Sequence, residues 1–396
     1  MVAQDAALEQ RRTTPVELFW DLVFVFAITQ VSTLLAGDLS WPGLGRAMLV
    51  LALVWWAWSA FVWMTNAHDP DAPHVRAALF GAMILTFLVA LAVPGAWGDE
   101  ATLFAAAYAC VRFVHLALYV DAARRGNASL PAIAGFSVTV AIGMALLIAG
   151  SLAGEPLRAV LWVVAAAIDY AGPAWLTRER LAALQRVAVA HFAERYSLFI
   201  IICLGESVVA IGLGAEGLAV DGELAAGVVV ALLVTVGLWW TYFDHVATAA
   251  EERLARHDEP VLAAADAYSY LHLLLVAGII AFAVGAKKAV GHAADPLADA
   301  ARLALCGGVA LYLAGHIAFG LRMMGAFSRP KAIAALACLA VYALAGGVAA
   351  WATAGIVAAV LGLLVAREHA LEAPGAPIRR TARRSPPRTS RRSGGA

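Results

Sequence analysis

The chain is short of charge. Asp, Glu, Lys and Arg make up 14% of its 396 residues, where soluble domains carry about 25%. With 62% hydrophobic residues and a mean hydropathy of +0.79, that deficit excludes an ordinary water-soluble domain. Cysteine is equally scarce. Cys110, Cys203, Cys306 and Cys338 each fall inside an apolar run and form no C-x-x-C pair, which argues against a disulfide framework or a zinc site. No H-E-x-x-H, no G-x-S-x-G and no phosphate-cradling glycine loop occurs. An enzyme is therefore not expected, and neither is a cofactor. "NAHDPD" (66–71) and "RHDE" (256–259) hold His and Asp without a further ligand pair at helical spacing, so no metal is expected. No soluble segment is long enough to bind nucleic acid or nucleotide.

What the chain has instead is a series of apolar runs of roughly 20 residues, each able to cross a ~30 Å hydrocarbon core. The fold class is all-α: a polytopic membrane protein in contact with the lipid bilayer. Hydropathy suggests twelve spans, at 16–36, 44–66, 76–95, 101–121, 132–151, 157–176, 194–214, 224–245, 268–288, 300–321, 331–347 and 350–367. The implied organisation is an N-terminus (1–15), a first six-helix repeat (16–176), a linker (177–193), a second six-helix repeat (194–367) and a basic tail (368–396). The first run does not read as a cleavable signal peptide, because Glu17 and Asp21 lie in its opening turns.

Basic residues set the expected orientation. With both termini in the cytoplasm, Arg76, Arg124, Arg125, Arg178, Arg180, Arg253, Arg256, Arg322 and Arg329 fall inside, and Arg46, Arg158, Lys287, Lys288 and Arg302 outside. The preponderance of arginine over lysine hints at a GC-rich bacterial genome. The tail, "RRTARRSPPRTSRRSGGA", has too little apolar content to fold. It is expected either to touch anionic headgroups or to remain solvated.

Two stretches match each other. "VELFWDLVFVFAITQVS" (16–32) aligns with "AERYSLFIIICLGESVV" (193–209), so Glu17 meets Glu194, Phe19 meets Tyr196, Thr29 meets Glu206 and Gln30 meets Ser207. "VWWAWSAFVW" (54–63) has a counterpart in "LWWTYFDHVA" (238–247). With six spans in each half, the two halves would be parallel repeats.

Ionisable groups inside a bilayer are costly and point to function by default. Glu17, Asp21, Phe24, Ile28 and Ser32 share one helical stripe, with Asp21 about 6 Å deeper than Glu17. The positive end of the helix dipole offers a structural alternative for both acids. Glu206 lies near the middle of the seventh span and must pair, be protonated or face water. Arg112 occupies a similar depth, on one face with Tyr108, His115 and Tyr119. An Arg112–Glu206 pair between the halves is expected, either as a fixed clamp or as a working site. His316 matches His115 in depth and suits either proton handling or a hydrogen-bonded core role. Asp169 is open to the same two readings. Asp244, His245 and His272 are expected to be solvated, and Trp55, Trp56, Trp58 and Trp63 to pack.

The stretch Glu17–Gln30, together with "HFAERYSLFIIICLGESVVAIG" (191–212) and the following "WW", resembles the bacterial low temperature requirement A (LtrA) family over about residues 14–367. The resemblance implies a multi-span inner-membrane protein and no particular chemistry. "FWDLVFVFAIT" (19–29) is also similar to the pore-helix signature of a potassium channel family of six-span repeats. There Asp21, Phe24, Ala27, Ile28 and Thr29 match, while Trp20 and Leu22 replace small residues and Leu198 replaces the second Asp.

The functional expectation is a transporter or channel-like protein for an ion or small solute. Glu206 would bind a cation or proton, with Arg112 as its counter-charge and Asp21 at the cytoplasmic mouth. Thr29, Gln30, His115, Ser207 and His316 would make secondary contacts. The alternative is a non-transporting scaffold, sensor or accessory subunit.

Overall fold

The computed structural model describes residues 12–173, 178–185, 187–244 and 246–372; the basic tail beyond 372 and His245 lie outside them. The described residues form helices and no strand, apart from one isolated bridge between Pro296 and Ala349. In chain order the helices are α1 Pro15–Gly37, α2 Trp41–Ala67, α3 Pro73–Ala92, α4 Ala101–Arg124, α5 Leu130–Ser151, α6 Leu157–Ala171 and α7 Arg178–Ala182. After them come α8 Val189–Ala215, α9 Gly222–Phe243, α10 Ala247–Ala255, α11 Pro260–Gly291, α12 Asp299–Met324, α13 Arg329–Leu344 and α14 Ala350–Glu372.

Among the described residues, ten helices are long and apolar enough to cross a membrane. The expected count of twelve is not confirmed by that measure. The sixth and eleventh expected spans correspond to the shorter helices α6 and α13, of 15 and 16 residues, and residues 174–177 after α6 lie outside the described ones. A second difference matters more for the site. The seventh span begins at Val189, not at 194, so His191 joins the helix that carries Arg195 and Glu206.

Local sequence explains several helix starts. Pro15 occupies the first turn of α1, and Glu17 Oε2 accepts from both the Thr14 N–H and the Thr14 hydroxyl, at 3.0 Å each. Ser40 caps α2 by accepting from the Gly43 N–H, and Asp221 caps α9 by accepting from the Leu224 N–H. Such caps matter because the first amides of a helix have no intrahelical acceptor.

The bundle is enclosed around α2, α11 and α12. α11 and α12 pack most extensively, and they do so through Gly278, Gly285 and Gly308, where a Cβ would collide with the facing backbone. Small residues of this kind let membrane helices approach closely. α8 packs against α1, α2 and α11 and so ties the first half of the chain to the second. Outward-facing Leu18, Phe19, Leu22, Ile84, Val163, Val209, Leu336 and Leu363 are exposed, as helices solvated by acyl chains require. Within α11, Ala265–Leu271 winds as a π-helical turn, a distortion that recurs at functional positions.

Candidate functional site

Two buried arginines organise the interior, and each has an acidic partner. The first is Arg195 on α8. Its Nη1 lies 2.8 Å from Glu17 Oε1 and its Nη2 donates to Asp21 Oδ1 at 2.6 Å. His191, one turn earlier, approaches both Glu17 oxygens with Nε2 at 3.0 and 3.1 Å. Its Nδ1 faces the Asn66 side chain, and Trp58 Nε1 donates to Asp21 Oδ1 at 2.8 Å. Glu17, Asp21, His191 and Arg195 are all 0% exposed. A buried acid survives only when paired and hydrogen-bonded, and two acids spaced four apart on α1 here meet two bases spaced four apart on α8.

The second arginine is Arg112 on α4. Its Nη2 donates to Asp169 Oδ1 on α6 at 2.9 Å. The expected Arg112–Glu206 pair does not form. Asp169 reaches Arg112 because α4 and α6 both pack on α2, whereas Glu206 on α8 accepts its hydrogen bond from the Thr29 hydroxyl, with Ser32 and Lys287 nearby. The buried acid thus has a hydroxyl partner in place of a guanidinium, and the Thr29–Glu206 alignment turns out to be a contact.

Beside Arg112 and Asp169 lies a cavity of about 60 Å3, against the roughly 10–15 Å3 that one water needs on the same measure. His115, Ser59, Ser269, Trp56, Tyr119 and Tyr270 line it with them. Arg112, His115 and Asp169 are 2%, 3% and 1% exposed. Arg112 Nε and Nη1 and Asp169 Oδ2 make no hydrogen bond within the protein. His115 approaches the Ala60 main chain, but neither ring nitrogen closes a hydrogen bond of good geometry. Buried polar atoms are rarely left so, and here they cluster around one space. The opposite wall is saturated: Ser59, Tyr196 and Ser269 form a hydroxyl chain at 2.7 and 2.9 Å, which Trp63 Nε1 joins by donating to Ser269 Oγ at 2.8 Å.

Tyr270, on the π-helical turn, lines this cavity and also a second, open one of about 530 Å3. Its hydroxyl donates to Tyr170 O at 2.8 Å, and its ring faces Trp56. In the second cavity Arg178 grips Asp266 with both terminal nitrogens, at 2.9 and 2.8 Å, and Arg322 Nε donates to Asp266 Oδ2 at 2.9 Å. The Asp266 hydrogen bonds hold the Arg178 guanidinium above its ordinary pKa. Two guanidiniums around one carboxylate leave this mouth with a net positive charge.

The remaining expected residues are dispersed. Gln30 is half-buried, and Ser207 is buried with no hydrogen bond to its hydroxyl. Glu194 accepts from the Thr13 N–H and hydroxyl at 3.1 and 3.0 Å, while Phe19 is exposed and Tyr196 belongs to the hydroxyl chain. His316 lies between the rings of Tyr242 and Tyr312 with neither nitrogen hydrogen-bonded. His272 is not solvated: it is 0% exposed and bonded to the Tyr242 hydroxyl and Ala267 O, because the π-helical turn carries it inward. Trp55, Trp56, Trp58 and Trp63 are buried, as expected of packing residues.

Sequence reasoning overlooked Arg195 and His191 as partners of Glu17 and Asp21, and it did not join Asp169 to Arg112. A signal for the first existed. "HFAER" repeats the four-residue spacing of the two acids with opposite charge, and a buried acidic pair requires a cation at its own depth.

The chain is thus a polytopic α-helical membrane protein with a polar interior. It belongs to the family described as bacterial low temperature requirement A protein (LtrA), whose sequence profile matches residues 12–366. It is 32% identical over 314 residues to a protein of Rhizobium meliloti (strain 1021) titled "Uncharacterized protein RA0937", covering 78% of this chain and 76% of that one. No solved structure matches it.

Proposed function

We propose that this protein moves a small polar or charged solute across the bacterial inner membrane, with the Arg112–His115–Asp169 cavity as the solute site. One observation carries the reading: three almost fully buried ionisable side chains leave hydrogen-bonding atoms unsatisfied around a single space large enough for several water molecules. Arg195 and Asp21 also leave such atoms unsatisfied, so the space carries the argument: a bundle built only to pack would have closed it, since interiors are close-packed. The distribution of basic residues supports both termini in the cytoplasm, and in that orientation Arg178 and Arg322 would stand at the cytoplasmic mouth.

Kinship between the halves supports the same reading. The Tyr108 hydroxyl donates to Leu53 O and the Tyr312 hydroxyl to Leu238 O, each just before or within one of the two matched "WW" stretches. Four residues after these tyrosines stand Arg112 and His316. The arginine of the solute site therefore stands in the first half, at the position where the second half carries an aromatic-packed histidine.

The Glu17–Asp21–Arg195 network favours a second reading for its own residues: a fixed clasp between α1 and α8, as a scaffold would need. Flux separates the two readings. Full-length protein in liposomes is expected to take up at least one member of a panel of labelled cations, anions and neutral solutes, and the R112Q/D169N variant is expected to lose that uptake. A correctly folded protein that moves nothing in the panel refutes transport.

A further inference from the structure

We infer that the solute is a small monocarboxylate, and that it is bound together with one proton taken up by His115. This rests on the transport reading for where the site lies, but its chemistry follows from the side chains. Arg112 Nε and Nη1 can only donate hydrogen bonds, so the end of the solute that reaches them must accept. A carboxylate is the acceptor that guanidinium matches in shape and charge. The rest of the cavity is apolar: Trp56, Phe136, Val140 and the Tyr270 ring leave a greasy slot for a short hydrocarbon or a single ring.

Charge balance supplies the proton. An ionised Arg112–Asp169 pair cancels, so with a neutral His115 the empty site carries no net charge. A bound carboxylate would leave a net negative charge in a low-dielectric interior, which is strongly disfavoured. His115, beside Arg112, can restore neutrality by taking up a proton from solvent at a ring nitrogen that accepts no hydrogen bond, whereas protonating Asp169 would give up its ion pair with Arg112. The other titratable groups lining the cavity are Arg112 and Tyr119 on its own helix, Asp169 on α6 and Tyr270 on α11. Tyr119 is engaged, donating to Gln185 Oε1 at 3.0 Å, and Tyr270 donates to Tyr170 O. A dianion would need a second proton and a cation would face Arg112, so the arithmetic selects a monoanion.

The route agrees. The mouth beyond Tyr270 holds Arg178 and Arg322 with excess positive charge, and Asp266 shows there how a carboxylate seats on Arg178 with both oxygens. Tyr270 lines both spaces, so a carboxylate passing from the mouth to Arg112 passes this ring.

Calorimetric titration of the full-length protein in lipid nanodiscs tests this, using acetate, propionate and benzoate, their neutral amides, phosphate, and sodium and potassium ions. Running each titration in two buffers of different ionisation enthalpy gives the protons exchanged. At least one carboxylate is expected to bind with close to one proton taken up, its amide about tenfold weaker or worse. R112Q/D169N, which keeps the site neutral and therefore foldable, is expected to abolish that binding. H115Q is expected to abolish the proton uptake and weaken the anion by about tenfold. Carboxylate binding without proton uptake by the unaltered protein, equal binding of the amides, or no binding of any carboxylate overturns the inference. The two proposals fail separately. Flux of a cation or neutral solute with no carboxylate bound would leave transport standing, and proton-linked carboxylate binding without flux of anything would leave the site standing.

Discussion

Arg195 and Arg112 are both buried guanidiniums paired with aspartate on another helix, yet they do different work. Arg195 touches two acids, and those acids are further held by His191, Trp58 and Thr14. Arg112 touches one acid through one nitrogen and faces a void with the rest of its donors. Both guanidiniums leave Nε and Nη1 without a well-formed hydrogen bond, and both aspartates leave Oδ2 so. What separates the two regions is the second carboxylate that closes on Arg195, where Arg112 has a cavity instead.

The strongest way to break the comparison is R195Q. It strands Glu17 and Asp21 without their cation, and losing one partner of a buried pair typically costs about 3–5 kcal/mol. Thermal unfolding of the solubilised protein is expected to show a large fall in midpoint or loss of the folded species; a variant as stable as the unaltered chain would mean the clasp holds nothing.

Next in size is the cycle at the cavity. R112Q alone is expected to destabilise by about 3 kcal/mol, the low end for breaking a buried pair, since Asp169 keeps its burial and loses its one partner, while adding D169N is expected to restore most of that loss. The same unfolding assay measures all three variants. Full recovery of stability with no recovery of solute binding would sharpen the contrast between a site and a clasp, and no recovery at all would put Arg112 in the clasp class.

W58F comes third. It removes the indole N–H that reaches Asp21 and leaves the ring stack, for about 1.5–3 kcal/mol expected of a hydrogen bond to a charged group. The smallest effect on stability is expected from Y270F, which deletes the hydroxyl bond to Tyr170 for about 0.6 kcal/mol. Its readout is flux: uptake rates are expected to change severalfold while the unfolding midpoint barely moves. Unchanged rates would remove Tyr270 from the path.

Much of the fold was legible. Apolar runs marked the long helices, because span length is a local requirement. The helices α6 and α13 are shorter than the other spans, and composition alone does not fix where such helices end. The site was legible by residue type and only partly by pairing. Arg112, His115, Asp21 and Glu206 stood out as intramembrane polar groups. Their partners depended on which helices touch: α6 beside α4 by way of α2, and α8 beside α1. Asp169 and Arg195 were visible in the chain, but nothing local assigned them.

From its residues alone, the chain determined that it enters a bilayer as helices, that its charges cluster at a few depths, and that acids on α1 need cations opposite. These follow from the cost of placing polar groups in hydrocarbon, which any arrangement must meet. The tertiary structure decided which cation meets which acid, and that Arg112, His115 and Asp169 would be left with a space between them. Pairing and voids depend on the packing of helices distant in sequence, where the close approach of α11 to α12 through glycine and the π-helical turn at Ala265–Leu271 set the geometry.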